Sequence, residues 1–275
     1  MVLWSSAFAG IEAALVDYNA YQLTLLRFGT ASLAFAVYAA ITRLPLPEVR
    51  DLPKLILGGL TGITCYHLAL NLGQQMVTAT TASLIIATSP LFTAILSGWL
   101  LKEKFTVTKW IGMGVCLGGI LIMILSRGEQ LEFTKGALLV LFSAMVIPIY
   151  FVLQKPLLTR YHPVQLSAYF TWLGTLPLLV FCRGLGSAIA AASAGSTLAA
   201  VYLGLFPAAA AYVTWSYTLA RLPAGRASSF LYLNPPLAAL IAYLWVGEVP
   251  LPAELLGGAI VLAGIYLVNH KGRNR

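Results

Sequence analysis

Thr64, His67, Asn71 and Gln74 stand at i, i+3, i+7 and i+10, which places a hydroxyl, an imidazole and two amides on one face of a helix. The stretch around them is apolar, so facing lipid would cost these groups their hydrogen bonds, and the face must turn to the interior or to water. Two chemistries fit. The face either holds the polar groups of a small solute, or it ties neighbouring helices together as packing glue. Moved along the chain by 145 residues, His67 falls on Tyr212, Leu70 on Trp215 and Asn71 on Ser216, so the second half carries a polar-aromatic face of its own. Tyr66, His67, Asn71, Tyr212 and Trp215 are therefore candidate substrate-binding residues. Aromatic walls with a few polar anchors suit an amphipathic organic molecule.

Prolines add a second set. Ser89-Pro90 and Asn234-Pro235-Pro236 lie 145 residues apart inside apolar runs. A proline removes a backbone donor and disturbs the turn before it, freeing carbonyls. Broken helices at matching places in two halves point to a transport site. Ser89, Asn234 and the adjacent Tyr232 join the candidates, as do the mid-span aromatics Tyr150 and Trp172. Intramembrane charge is confined to Glu12 and Arg27, which flank a short connection and are expected to pair across it. The alternative gives Arg27 a substrate carboxylate to hold, or Glu12 a proton to carry.

Catalytic signatures are missing. Cys65, Cys116 and Cys182 lie in separate apolar stretches without metal-ligand spacing, and His67, His162 and His270 are scattered. No catalytic residue, metal or cofactor is expected. Gly112, Gly114, Gly118 and Gly119, with Gly257, Gly258 and Gly264, suit close helix contact, and Gly114 and Gly118 match the small-residue packing pattern. That contact is open to the bundle or to a second protomer; a monomer is expected and a dimer is the alternative.

The elements that must hold these residues follow from composition. Hydrophobic residues make up 59% and charged residues 9% of the chain, against roughly 25% charged in a soluble domain. Continuous apolar runs of this kind satisfy their backbone in lipid as helices. Ten spans are read: 2–16, 22–41, 54–73, 78–101, 109–125, 136–154, 163–182, 198–219, 225–246 and 251–269. The first is short for a hydrocarbon core of about 30 Å, and it lacks the basic start and cleavage site of a signal peptide. The net charge of +8 comes from basic residues in short loops rather than from a nucleic-acid surface.

With the N-terminus inside, the inner loops and tail hold thirteen basic residues, from Arg43 to Arg275, and the outer loops hold Arg127, Lys135 and Arg183. That bias predicts both termini in the cytoplasm. Gly59 to Met123 align without a gap on Gly204 to Val268, with Pro90 on Pro235 and Glu103 on Glu248. An odd number of spans per half inverts the second half. The expected fold is thus an all-α membrane protein of ten transmembrane helices, arranged as two inverted five-helix repeats, residues 1–130 and 131–275, around a central cavity. The expected partners are a small-molecule substrate and the lipid bilayer.

Trp4-Ser5-Ser6-Ala7-Phe8, Arg27-Phe28, Ser89-Pro90, Asn234-Pro235-Pro236, Glu103 and Glu248 together resemble the drug/metabolite transporter superfamily, and more narrowly its ten-helix EamA-type exporters. Bacterial aromatic amino-acid exporters are the most similar members. The resemblance implies a basket-like bundle, alternating access, outward transport and a bacterial inner membrane. The expected function is export of small amphipathic metabolites, foremost apolar or aromatic amino acids. Efflux of drugs or organic cations is the alternative; a membrane-embedded enzyme or a channel fits less well.

Overall fold

The computed structural model describes residues 1–126, 134–246 and 251–269. Glu248, Arg127, His270 and the basic tail fall outside these. Within them the chain is helical, with no strand among the described residues. Seven helical stretches are long and apolar enough to cross a membrane: 20–42, 49–74, 81–100, 135–157, 163–182, 194–221 and 252–269. Two shorter apolar helices, Val2–Ala14 and Val107–Met123, accompany them.

The helices are α1 (Val2–Ala14), α2 (Ala20–Thr42), α3 (Leu52–Gly59), α4 (Tyr66–Gln74), α5 (Ala79–Ile86), α6 (Ser89–Leu100), α7 (Val107–Ser126) and α8 (Lys135–Leu157). They continue as α9 (Pro163–Thr175), α10 (Leu185–Ala191), α11 (Ala194–Leu203), α12 (Ala211–Arg221), α13 (Ala224–Ser229), α14 (Asn234–Val246) and α15 (Pro252–Asn269). Side chains start several of them. The Asn19 side chain accepts from the Gln22 N–H at 2.9 Å, while Gln22 Oε1 accepts from the Asn19 N–H at 3.2 Å. Thr78, Thr134 and Ser193 cap α5, α8 and α11 in the same way. These caps satisfy first-turn donors that would otherwise have no partner.

Wider π turns at Leu60–Cys65 and Gly204–Ala210 interrupt the α3–α4 and α11–α12 passes. A short break precedes Ser89-Pro90, and a 3-10 turn, Phe230–Leu233, precedes Asn234-Pro235. The starts of α4 and α12, α5 and α13, α6 and α14, and α7 and α15 are each 145 residues apart. Each pair begins with residues that the sequence alignment matches.

Helices α7 and α15 pack with their backbones nearly touching. A Cβ on Gly119 would come within 2.6 Å of the Gly257 carbonyl, and one on Gly112 within 2.9 Å of the Gly264 carbonyl. Gly112 and Gly119 match Gly257 and Gly264 at the 145-residue offset, so each glycine meets the counterpart of the other. Between them, Cys116 Sγ donates to the carbonyl of Val261, its own counterpart, at 3.5 Å. The glycines expected to pack as a pair, Gly114 and Gly118, do otherwise: a Cβ on either would meet open space. Helical phase explains it, because the contacting pair is spaced by seven residues, two full turns on the opposite flank.

Candidate functional site

A cleft lined by residues of both halves of the chain lies within the bundle. Trp4, Ala7, Phe8 and Ile11 of α1 form one wall; Tyr66, His67 and Leu70 of α4 form another. Ile147 and Phe151 of α8, Tyr212 of α12, Leu231, Ile86 and the two broken-helix residues Ser89 and Asn234 complete it, with Arg27 of α2. The lining is predominantly apolar and aromatic.

At the cleft His67 Nε2 lies 2.9 Å from the hydroxyl of Tyr212, its counterpart 145 residues on. The Tyr212 hydroxyl donates to the Gly62 carbonyl at 3.1 Å. Its single hydrogen is committed there, so His67 Nε2 supplies the hydrogen to the tyrosine oxygen. Nδ1 is then an acceptor, and it has no partner among the described residues. The carbonyl that takes the Tyr212 hydrogen belongs to the first π turn. Its counterpart in the second π turn, the Pro207 carbonyl, accepts from Trp4 Nε1 at 3.0 Å. Each π turn thus anchors one aromatic wall residue through an equivalent carbonyl. Phe28 and Tyr66 flank His67 with ring centroids 4.5 Å away.

Arg27 is the charged residue of the lining, and it is only 2% exposed. Nε and Nη1 have no hydrogen-bond partner, and no carboxylate pairs with it among the described residues. The Phe28 ring lies 5.5 Å from its guanidinium carbon. The expected Glu12–Arg27 pair is therefore absent: Phe8 and Ile11 take the inner face of α1, which turns Glu12 outward to an exposed position. A charge inside a membrane-length apolar helix is costly, and such residues usually face a cavity or mark a solute pathway.

Of the other sequence candidates, Tyr66, His67, Ser89, Tyr212 and Asn234 converge on the cleft. Ser89 Oγ is buried without a partner, and Asn234 Oδ1 accepts from Ser5 Oγ at 3.1 Å. Asn71, Tyr150, Trp172, Trp215 and Tyr232 are placed elsewhere. Asn71 donates to Thr24 Oγ1 at 2.8 Å, tying α4 to α2. Tyr150 belongs to a buried network in which Gln154 Nε2 donates to Tyr150 Oη at 3.1 Å and to Ser216 Oγ at 2.6 Å. Trp172 Nε1 donates to the Ser32 carbonyl at 3.1 Å, binding α9 to α2. Trp215 stands behind the wall, its ring 5.2 Å from that of Trp4 and 4.5 Å from that of Phe151. Tyr232 is buried among Met113, Cys116 and Val261, in the cluster around α7 and α15. Thr64 and Gln74 also bond across helices, to the carbonyls of Gly174 and Phe8. The polar face of α4 is thus mostly glue, with His67 its member in the cleft.

Residues missed from the sequence are the apolar and aromatic ones: Trp4, Ala7, Phe8, Ile11, Leu70, Ile86, Ile147, Phe151 and Leu231. In a chain this hydrophobic, nothing in their type separates a cleft-facing side chain from a lipid-facing one. The small Ala7 and the polar Ser5-Ser6 pair were the available signal that α1 turns inward.

A bundle of membrane-length apolar helices with a cleft lined from both halves has the make-up of a membrane protein. Residues 1–125 and 134–270 match the EamA-like transporter family. The chain is 38% identical to the uncharacterized transporter YdfC of Bacillus subtilis, over 96% of this chain and 86% of the relative. It is also 38% identical to a probable terminal-alkyne amino-acid exporter of Streptantibioticus cattleyicolor, over 100% and 93% of the two chains. An uncharacterized transporter of Archaeoglobus fulgidus is 30% identical, over 98% and 96%. A protein of known crystal structure, 21% identical, shares the fold with a TM-score of 0.78 over 99% of this chain and 95% of its own. This chain belongs to the EamA-like transporter family, and it is a transporter rather than an enzyme.

Proposed function

We propose that this transporter is a ten-helix carrier made of two inverted five-helix repeats, 1–130 and 131–275, and that it exports small amphipathic metabolites by alternating access. Apolar or aromatic amino acids are its foremost substrates. It sits in a bacterial inner membrane with both termini in the cytoplasm. The observation that carries the substrate reading is the cleft itself: aromatic and aliphatic walls from both halves, with His67, Ser89, Asn234 and Arg27 as polar points. Support for the repeat comes from the helix starts 145 residues apart and from the exchanged glycine contacts of α7 and α15. An exchange of that kind is the signature of a two-fold relation between like parts. The orientation rests on the excess of basic residues in alternate loops. The name of the amino-acid exporter relative agrees with the solute class. Organic-cation efflux is disfavoured, because no Asp or Glu stands among the described lining residues to neutralise a cation.

The purified protein in liposomes, given labelled phenylalanine, provides the test. Saturable uptake that unlabelled methionine or phenylalanine inhibits is the expected result. Inhibition by lipophilic cations alone would overturn the amino-acid reading.

A further inference from the structure

We propose that Arg27 is the carboxylate receptor of the cleft, and that the site selects its substrate by the carboxylate and not by the ammonium group. The inference rests on the transport reading above and deepens it. Apolar monocarboxylates that lack an amine are then substrates at least as good as the amino acids of matching side chain.

Arg27 is almost fully buried, lines the cleft, and leaves Nε and Nη1 without a partner. A guanidinium is a permanent planar positive charge whose N–H groups give a carboxylate charge-assisted hydrogen bonds. Among the described residues no carboxylate fills that role, since Glu12 is exposed and the described lining contains no acidic residue. The surroundings of Arg27 are also largely apolar, with Phe28 beside it. A cation left unpaired in such a place is costly, and an anion arriving there removes the cost.

The two ends of an amino acid meet unequal reception. A carboxylate finds a full positive charge, with the partnerless Ser89 hydroxyl in the same lining. An ammonium finds neutral partners: acceptors such as Ser89 Oγ, the His67 Nδ1 lone pair and Asn234 Oδ1, which already accepts from Ser5, and the aromatic faces of the wall. The lining therefore carries one net positive charge. A monocarboxylate cancels it; a zwitterion leaves it standing, and an amine doubles it. Charge that remains in an apolar cleft opposes loading, so the order of preference is carboxylate first, zwitterion next and amine last.

Three compounds sharing one ring separate these cases: 3-phenylpropanoate, phenylalanine and phenethylamine. In liposomes holding the purified carrier, labelled 3-phenylpropanoate should be taken up saturably and should inhibit phenylalanine uptake at equal or lower concentration than unlabelled phenylalanine does. Phenethylamine should not inhibit. Arg27→Gln should lower affinity for 3-phenylpropanoate by about ten- to hundredfold, the range for a charged hydrogen-bond partner, while Arg27→Lys should retain an intermediate value. A thermal-shift series in detergent guards against misfolding: 3-phenylpropanoate should raise the melting temperature of the wild type and not that of a folded Arg27→Gln. Phenethylamine competing as well as 3-phenylpropanoate, or Arg27→Gln keeping the preference for the acid, would overturn the receptor. Uptake of the acid without phenylalanine would sink the amino-acid reading and leave the receptor standing. Phenylalanine carried with no advantage for the acid would do the reverse, and uptake of neither would overturn both.

Discussion

At the scale of residues, the cleft is held by hydrogen bonds that leave few alternatives. Tyr212 takes a hydrogen from His67 Nε2 and gives its own to the Gly62 carbonyl. Tyr212→Phe removes both bonds and strands two buried groups, which should cost about 1–3 kcal/mol of stability. Melting in detergent should fall, while Tyr212→Phe with its aromatic wall intact should still bind solute. Trp215 offers a contrast. Although it maps onto the α4 polar face, it packs behind Trp4 and Phe151. Trp215→Ala should behave as a core truncation, with a loss of about 3–5 kcal/mol and a drop in folded yield. If Trp215→Ala folded normally and lost only transport, the wall would have been drawn in the wrong place.

Much of this scale was hidden in the sequence. The spacing of Thr64, His67, Asn71 and Gln74 announced one face, but it could not say that three of the four would meet Gly174, Thr24 and Phe8 on other helices. Which helix lies opposite is a tertiary fact. Ser89 and Asn234 were legible because proline marks its own neighbourhood through a missing N–H. Arg27 was legible as an intramembrane charge, yet its isolation from Glu12 depends on the rotation of α1, which a 13-residue apolar helix does not declare.

At the scale of elements, the sequence predicts ten spans, whereas seven helical stretches among the described residues are long and apolar enough to cross a membrane and two apolar helices are shorter. The proline breaks at Ser89-Pro90 and Asn234-Pro235 were legible, and they divide 79–100 and 224–246 into shorter helices. The π turns were not, since a sequence of Leu60-Thr-Gly-Ile-Thr-Cys65 carries no period that distinguishes i→i+5 from i→i+4 bonding. Glu103 follows α6, and its carboxylate accepts from the Ala224 and Gly225 N–H groups at 2.7 and 3.0 Å. One acidic residue of the first half therefore caps the start of α13 in the second. Glu103→Ala should lower stability by about 1–3 kcal/mol by orphaning those donors, whereas Glu103→Gln should recover part of it; equal melting for all three proteins would refute the cap.

Asp17 makes a similar link outside the spans. Hydrogen bonds from the Ser193 hydroxyl and N–H, at 2.6 and 3.0 Å, hold its carboxyl below the usual carboxylate value. A depressed folded-state value means that the contribution is complete above about pH 4, the unfolded value, and is lost as pH falls through the folded one. Proteolysis of the connection before α11 should quicken in acid for the wild type, and Asp17→Asn should show no such acid step.

At the scale of the molecule, two halves that differ in sequence meet through equivalent residues: His67 with Tyr212 at the cleft, Cys116 with Val261 between α7 and α15. Contacts between counterparts are what the proposed inverted repeat calls for, since a carrier that alternates between two faces would need its halves to exchange roles. In a cysteine-free background, a thiol introduced at Gln75 should react with an impermeant reagent from outside, and one at Arg50 should not. The reverse pattern would invert the proposed orientation.

The cleft as the path of the solute is the central claim, and filling it is the direct test. Ala7 lines the cleft from α1 and is 7% exposed. Ala7→Trp places an indole where the substrate ring would lie, without touching the caps or the α7–α15 contact. Efflux of labelled phenylalanine from preloaded proteoliposomes, compared between wild type and Ala7→Trp at equal folded content, is the measurement. The expected result is efflux abolished in Ala7→Trp with melting within a few degrees of wild type. Efflux at the wild-type rate through a filled cleft would contradict the account.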